Sequence, residues 1–272
     1  MSHDAGTESS RPPVQIGRML FTMVDPHRGY EVAYNRWYER DHFYAGCLVG
    51  PWLFAGKRWV ATRTLKDLRF PEASAFADPV DAGSYLSIYW VQAGHEDEHF
   101  AWARKQVYRL YGQGRGFSER THAHTKLYDF ETAQYREPDG VPIELALDHS
   151  YGGLVVLCCE PAARSSHERL VLAAAPHIRA LLEEAPSMDI VSNWRFHVEE
   201  GDFSAPMELG AEGGGEDRLL QLCFLAGAPE AAWPAVRRYA ESLEASGDGV
   251  VTFAAPFWPT IVGTDTYCDE LW

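Results

Sequence analysis

Residues 30–63, YEVAYNRWYERDHFYAGCLVGPWLFAGKRWVATR, decide how the chain is read. They open as an amphipathic helix over 30–48, break at Gly50-Pro51, and enter a strand near Trp52 that runs to about residue 64. Helical spacing puts Asn35, Tyr38 and His42 on one face, and Trp37, Asp41 and Tyr44 on a neighbouring one. A helix that merely covers a sheet needs an aliphatic stripe. This one sets an amide, a phenol, an imidazole and an acid beside its stripe, so chemistry is sought here first.

Working outward, residues 16–24 are an apolar run of strand length closed by Asp25-Pro26. A polar connection over 65–83 leads to SYLSIYWVQA at 84–93, where Leu86, Ile88 and Trp90 alternate with Tyr85, Ser87, Tyr89 and Val91. A helix over 95–111 stops at GQGRG, and THAHTKLYDF at 121–130 has the alternation of a strand. The order is β-α-β-β-α-β. Residues 152–160, 165–184, 188–198, 218–226, 229–245 and 250–255 repeat it, with an acidic Gly-rich loop over 199–217. At one constant offset Ala93-Gly94 meets Ala226-Gly227, Arg104 meets Arg237 and Leu86 meets Leu219, the self-similarity of a doubled unit. The expected architecture is α+β: two tandem ferredoxin-like units, residues 15–135 and 150–272, whose antiparallel sheets pack face to face as an intramolecular α+β barrel. Residues 1–14, polar and Pro-containing, are expected to be a disordered tail.

Composition narrows the function. The chain has 272 residues, 46% hydrophobic and 23% charged, the balance of a soluble globular protein with ample core. A formal net charge of -15 argues against nucleic acid as a partner. No apolar run is long enough to span a bilayer, so no membrane partner is expected. Five cysteines without metal-type spacing point to reduced thiols and the cytoplasm. His95-Glu96-Asp97-Glu98-His99 matches the H-E-x-x-H zinc pattern. Acids in a first helical turn are, however, what the helix dipole favours, and a third ligand would have to come from another element, so no metal is expected.

Residues 35–42, NRWYERDH, followed by a Gly-Pro turn and the strand FAGKRWVATR, resemble the signature of EthD-like proteins of the dimeric α+β barrel superfamily. There Asn-x-Trp-Tyr-Asp-x-x-His precedes a Pro-Gly-Phe turn and an Ala-x-Arg strand. The likeness covers about residues 31–63; Glu39 stands for the usual Asp, and Pro51-Trp52 for Pro-Gly-Phe. The resemblance implies a barrel around a central apolar cavity. With both halves in one chain that barrel can close in a monomer, and a homodimer is left open. Similar barrels host polyketide cyclases, muconolactone isomerases and cofactor-free quinol-forming monooxygenases, and some tandem ones bind haem.

The halves also compare internally. At the same offset Trp37, Glu39 and His42 meet Leu170, Leu172 and Ala175, so the site is expected in the first half. His42 is the expected general acid or base, oriented by Asp41 or Glu39, with Tyr38 donating to a developing oxyanion. A plainer reading makes Asn35, Tyr38 and His42 a structural hydrogen-bond cluster. On the strand over 121–130, His122 and His124 are expected on one face with Lys126 and Tyr128, and His124 as a further catalytic group. Asn35, Trp37, Tyr85, Tyr89, His122 and Trp194 complete the expected substrate wall. The expected activity is acid–base chemistry without an organic cofactor: a cyclisation, dehydration, isomerisation or C–C cleavage of a hydrophobic aromatic or polyketide-like small molecule. A cofactor-independent monooxygenase and a non-catalytic binding protein for a hydrophobic metabolite are the alternatives.

Overall fold

The computed structural model describes residues 14–163, 165–198 and 205–272, so the expected tail lies outside the described residues apart from Val14. The first half contains β1 (Ile16–Pro26), α1 (Glu31–Trp37), β2 (Leu53–Val60), the single turn α2 (Arg63–Lys66), β3 (Tyr85–Gln92), α3 (Glu96–Gly112) and β4 (Arg120–Tyr135). The second contains β5 (Gly153–Pro161), α4 (His167–Glu184), β6 (Met188–Phe196), β7 (Leu219–Leu225), α5 (Pro229–Ser246) and β8 (Gly249–Pro259). The strands close into one barrel in the order β1-β3-β2-β8-β5-β7-β6-β4, all pairs antiparallel. Each half thus places its first and third strands between its fourth and second, the ferredoxin-like order twice over.

Local chemistry sets the ends of the helices. Ser166 accepts the Arg169 N–H at the start of α4. Pro229 opens α5, where its missing N–H costs nothing, and Gly247 closes it at φ 77, a left-handed turn that only glycine enters freely. Three acids in the first turn of α3 complement its dipole. Among the described residues no helix is long and apolar enough to cross a membrane. All five cysteines are buried and outside any disulfide.

Two expectations are corrected here. The helix expected over 30–48 is α-helical only through Trp37; Tyr38–Leu48 continue it as a π-helix, with the Val49 N–H donating to the Tyr44 carbonyl five residues back at 3.1 Å. Where a central cavity was expected, the described residues fill the barrel with a packed core. Met19, Phe21, Leu86, Ile88, Trp90 and Phe224 fill it, and the connections contribute Phe76 and Tyr151. Leu86, Ile88 and Trp90 therefore face inward, while Tyr85 and Tyr89 face the helices of the first half. Both faces of β3 are apolar enough to be buried, so alternation alone does not say which one meets the other sheet. Trp194 stacks on Trp90 inside the barrel at 6.0 Å and donates to Ser192 Oγ at 2.9 Å, so it is a core residue.

Candidate functional site

A cavity of about 140 Å³ lies between the outer face of the first sheet and the helices that cover it. Leu20, Thr22 and Val24 of β1 form its floor, His42 and Cys47 of the π-helix one wall, Phe100 and Val107 of α3 another. Arg120 and His122 stand at the start of β4, and Pro206, Met207 and Leu209 of the second half reach over to border it. That segment is held by the Thr125 N–H donating to the Leu209 carbonyl and the Ala211 N–H to the Ala123 carbonyl, both at 2.9 Å.

The π-helix positions His42. One extra residue per turn brings positions five apart into register. The His42 imidazole accordingly stacks on Trp37, with centroids 4.6 Å apart and planes at 18°, and meets Tyr38 edge-on at 5.1 Å. Gly46 permits this, because a Cβ there would lie 2.9 Å from His42 Cε1 and Nδ1. Neither ring nitrogen of His42 has a hydrogen-bond partner among the described residues, and the ring borders the cavity. Burial, then the charge of Arg120, holds its pKa down to about 3, so the imidazole is neutral at pH 7.

Arg120 packs over the same Trp37 indole at 4.7 Å. Its Nε donates to His122 Nε2 at 3.1 Å and its Nη2 to the Tyr111 hydroxyl at 2.8 Å, while its buried Nη1 has no partner. A guanidinium only donates, so His122 Nε2 accepts and Nδ1 carries the proton. Nδ1–H then donates to Thr125 Oγ1 at 2.7 Å, and Thr125 stands 2.7 Å from Thr22 Oγ1. Burial and Arg120 push the His122 pKa to about 3, in keeping with this neutral tautomer. Tyr38 and Tyr89 share a hydrogen bond of 2.8 Å under the cavity. Burial pushes Tyr38 up to about 12 and Tyr89 well above its ordinary value, so both phenols keep their protons.

Of the residues singled out in the sequence, Tyr38, His42, Tyr89, His122 and Lys126 line this cavity, with Trp37 behind them. Asn35, Glu39, Asp41, Tyr85, His124 and Trp194 do not. Asp41 is paired with Arg115, which holds its carboxyl below the usual range, and so does not orient His42. Glu39 accepts from Arg58 at 3.3 Å and from the Gly263 N–H at 2.9 Å. Asn35 donates to the Thr264 carbonyl at 2.9 Å and accepts from Arg58 Nη1 at 2.9 Å; it fastens the C-terminal segment rather than joining a hydrogen-bond cluster with Tyr38 and His42. Tyr85 bonds Cys268 Sγ at 3.4 Å, away from the cavity.

His122 and His124 lie on opposite faces, contrary to expectation. Val24 pairs with His122 and Met23 with His124, so Ala123 is the extra residue of a β-bulge, which reverses the alternation. His124 stacks on Phe76 at 4.0 Å inside the barrel and bonds Tyr128 at 2.8 Å. Arg120 was missed in the sequence. Its signal is its place two before His122 on one strand, at the edge of the run taken to begin at 121.

His95 and His99 diverge: His95 stacks on Trp52 at 3.5 Å, while His99 meets the Pro51 carbonyl at 2.7 Å. Among the described residues no group of three or more His, Cys, Asp or Glu is placed to hold a metal ion.

No protein-family model and no curated protein matches the sequence. Solved structures do match the fold. A protein described as a chlorite dismutase superposes with a TM-score of 0.54 at 9% identity, covering 95% of this chain and 100% of its own. A variant of DypB from Rhodococcus jostii RHA1, in complex with haem, gives 0.53 at 11% identity over 97% and 98%. An anthrone oxidase-like protein gives 0.51 at 11% identity over 92% and 95%. The chain therefore has the α+β barrel fold of this ferredoxin-like class, over nearly its whole length.

Haem does not fit the described residues. A cavity of about 140 Å³ matches the size known to take one benzene ring, about 150 Å³, and not a tetrapyrrole. In the second half the space between sheet and helices is filled by Leu170, Ile178, Val236 and Tyr239. His167 there has both nitrogens engaged, by Glu131 at 2.8 Å and the Asp217 carbonyl at 3.2 Å, leaving none for iron.

Proposed function

We propose that the chain is a small-molecule enzyme performing acid–base chemistry on a hydrophobic aromatic substrate. His42 removes a proton from an acidic C–H or O–H, and Arg120 Nη1 holds the oxyanion that remains. One observation carries this: His42, a neutral imidazole without a hydrogen-bond partner among the described residues, and Arg120, whose buried Nη1 has none, line one apolar cavity and pack on the same indole.

The electrostatics couple the two groups. In the empty site the charge of Arg120 helps keep His42 a weak base. An oxyanion forming against Arg120 cancels that charge, so the basicity of His42 rises as the proton moves. The mostly apolar wall lowers the local dielectric and so strengthens each of these interactions. The resulting enolate or phenolate is the shared first intermediate of isomerisation, dehydration and cyclisation; in a retro-aldol C–C cleavage His42 would instead take the β-hydroxyl proton, and Arg120 would hold the enolate that the broken bond releases.

A second reading, cofactor-independent oxygenation, is favoured by the likeness to the anthrone oxidase-like protein. Converting a benzylic CH₂ beside a carbonyl into C=O consumes one O₂ and releases one water, so it needs no external reductant. Oxygen uptake during turnover separates it from the first reading.

The test is His42→Ala against a panel of phenols and aryl ketones. Turnover should fall by roughly a hundredfold to ten-thousandfold, with affinity changed only a few-fold. A variant as fast as the parent would sink the proposal, and binding without turnover in both proteins would make the chain a carrier.

A further inference from the structure

We infer that this cavity takes a one-ring aromatic anion, bound through a single phenolate-type oxygen on Arg120. The inference rests on the acid–base reading of the same site and names its ligand by size, charge and oxygen count.

Size comes from the volume of about 140 Å³, close to the space that holds benzene. Leu20, Val24, Leu53, Phe100, Val107 and Leu127 give the ring an apolar seat. Charge comes from the wall. In a chain of formal net charge -15, the described residues lining the cavity include Arg120 and Lys126 and no Asp or Glu. Lys126 is paired with Glu212 at 2.8 Å. Arg58, buried behind Tyr38 with its guanidinium 4.5 Å from that ring, is paired with Glu39 at 3.3 Å and lies outside the cavity lining, so Arg120 is the cation that matters. A buried donor without an acceptor is costly, and an anionic oxygen repays that cost with a charge-assisted bond.

The oxygen count comes from how Arg120 is tied. Its Nε and Nη2 already donate to His122 and Tyr111, which closes the Nε–Nη2 side edge to a carboxylate. Nη1 is the one nitrogen of this guanidinium without a partner among the described residues, and a single oxygen is enough to satisfy it. His122 acts here as a positioning residue, holding the guanidinium so that Nη1 stays free.

The test is equilibrium binding of 4-nitrophenol, benzoate, nitrobenzene and 2-naphthol to the full-length protein, followed by absorbance and calorimetry. The expected order is nitrophenolate tightest, with benzoate and nitrobenzene each weaker by roughly tenfold or more. The larger 2-naphthol should be excluded. Bound nitrophenol should turn yellow below its solution titration midpoint, because the site favours its anion. Arg120→Gln should weaken nitrophenolate roughly ten- to a hundredfold and leave nitrobenzene within about threefold, and Arg120→Lys should recover part of the loss. Val107→Trp, which fills the cavity, should abolish binding of all four. Nitrobenzene or benzoate binding as tightly as nitrophenolate, naphthol binding equally well, or nitrophenolate unaffected by Arg120→Gln would overturn the inference. Binding is read without turnover. A His42→Ala variant that keeps full activity therefore removes the proposed function alone, and a wrong ligand order removes this inference alone.

Discussion

Single residues set the electrostatics of this chain, and β4 shows how. Two histidines on its opposite faces are each fixed as neutral by an arginine upstream. Arg120 donates to His122, which donates to Thr125. Inside the barrel Arg218 Nε lies 3.5 Å from the Tyr128 oxygen, and the Tyr128 hydroxyl donates to His124 Nε2 at 2.8 Å. His124 Nδ1–H in turn donates to the Ala211 carbonyl at 3.1 Å. Burial, then Arg218 and Lys126, hold the His124 pKa well below its ordinary 6.5. The unfolded chain takes up a proton at His124 below that value and the folded chain does not. Stability should therefore fall as the pH drops below about 6.5. His124→Gln should lose about 1–3 kcal/mol at neutral pH from broken buried bonds. Between about pH 6.5 and 4.5 it should then lose less stability than the parent, by up to about 1.4 kcal/mol per pH unit. Urea titrations across that range measure both effects; equal slopes for variant and parent would exclude His124 as a source of acid lability.

At the scale of elements, two local irregularities build the site. The π-register of Tyr38–Leu48 puts His42 against Trp37, and the bulge at Ala123 sends His122 to the cavity and His124 to the core. Neither was legible in the sequence. A π-turn and a bulge each insert a residue without any side chain that announces it, so strict periodicities of 3.6 and 2 give wrong partners beyond them. What periodicity did carry were the elements themselves, and Tyr38, His42, Tyr89 and His122 reach the cavity. Asn35 and Asp41 looked equally chemical, yet their partners Thr264 and Arg115 come from distant segments that spacing cannot reveal. Gly46→Ala isolates the π-segment's role. Alanine is the better helix former by about 1 kcal/mol, but overpacking a buried site costs about 1–3 kcal/mol, so stability should hold or fall slightly. The added methyl meets the His42 ring, which is confined between Trp37 and Tyr38 and must swing away. Turnover should fall by up to roughly a hundredfold, the scale of an ångström of misplacement in a catalytic group. Parental activity would show that the stacked geometry is not required.

Across the whole molecule, the α+β barrel followed from element order because two half-covered sheets have few ways to bury their bare faces. The two seams that join the halves differ sharply in strength. β4 and β6 pair from Tyr128 opposite Phe196 to Tyr135 opposite Ile190, with one register shift between Phe130 and Thr132. β2 and β8 pair only where Trp59 meets Pro259 and Val60 meets Trp258. Pro259 has no N–H to give, so that ladder stops where it starts. The C-terminal segment supplies what the ladder lacks. The Thr260 N–H donates to the Arg58 carbonyl at 3.2 Å, the Arg63 N–H to the Glu270 carbonyl at 2.7 Å, and Asn35 and Glu39 hold residues 264 and 263. Leu271 is fully buried against the first-half helix cluster. Hydrogen exchange should therefore be fastest, among strand amides, at the β2–β8 seam and slowest across β4–β6, since local opening follows the weakest cooperative contacts. Removing residues 261–272 should speed exchange at Val60, Ala61 and α1 by roughly tenfold or more while β4–β6 amides change little. The same truncation should weaken nitrophenolate binding, because α1 carries Trp37 and leads directly into His42. Uniform acceleration across both seams would mean that the barrel opens as one unit and that the tail is no staple.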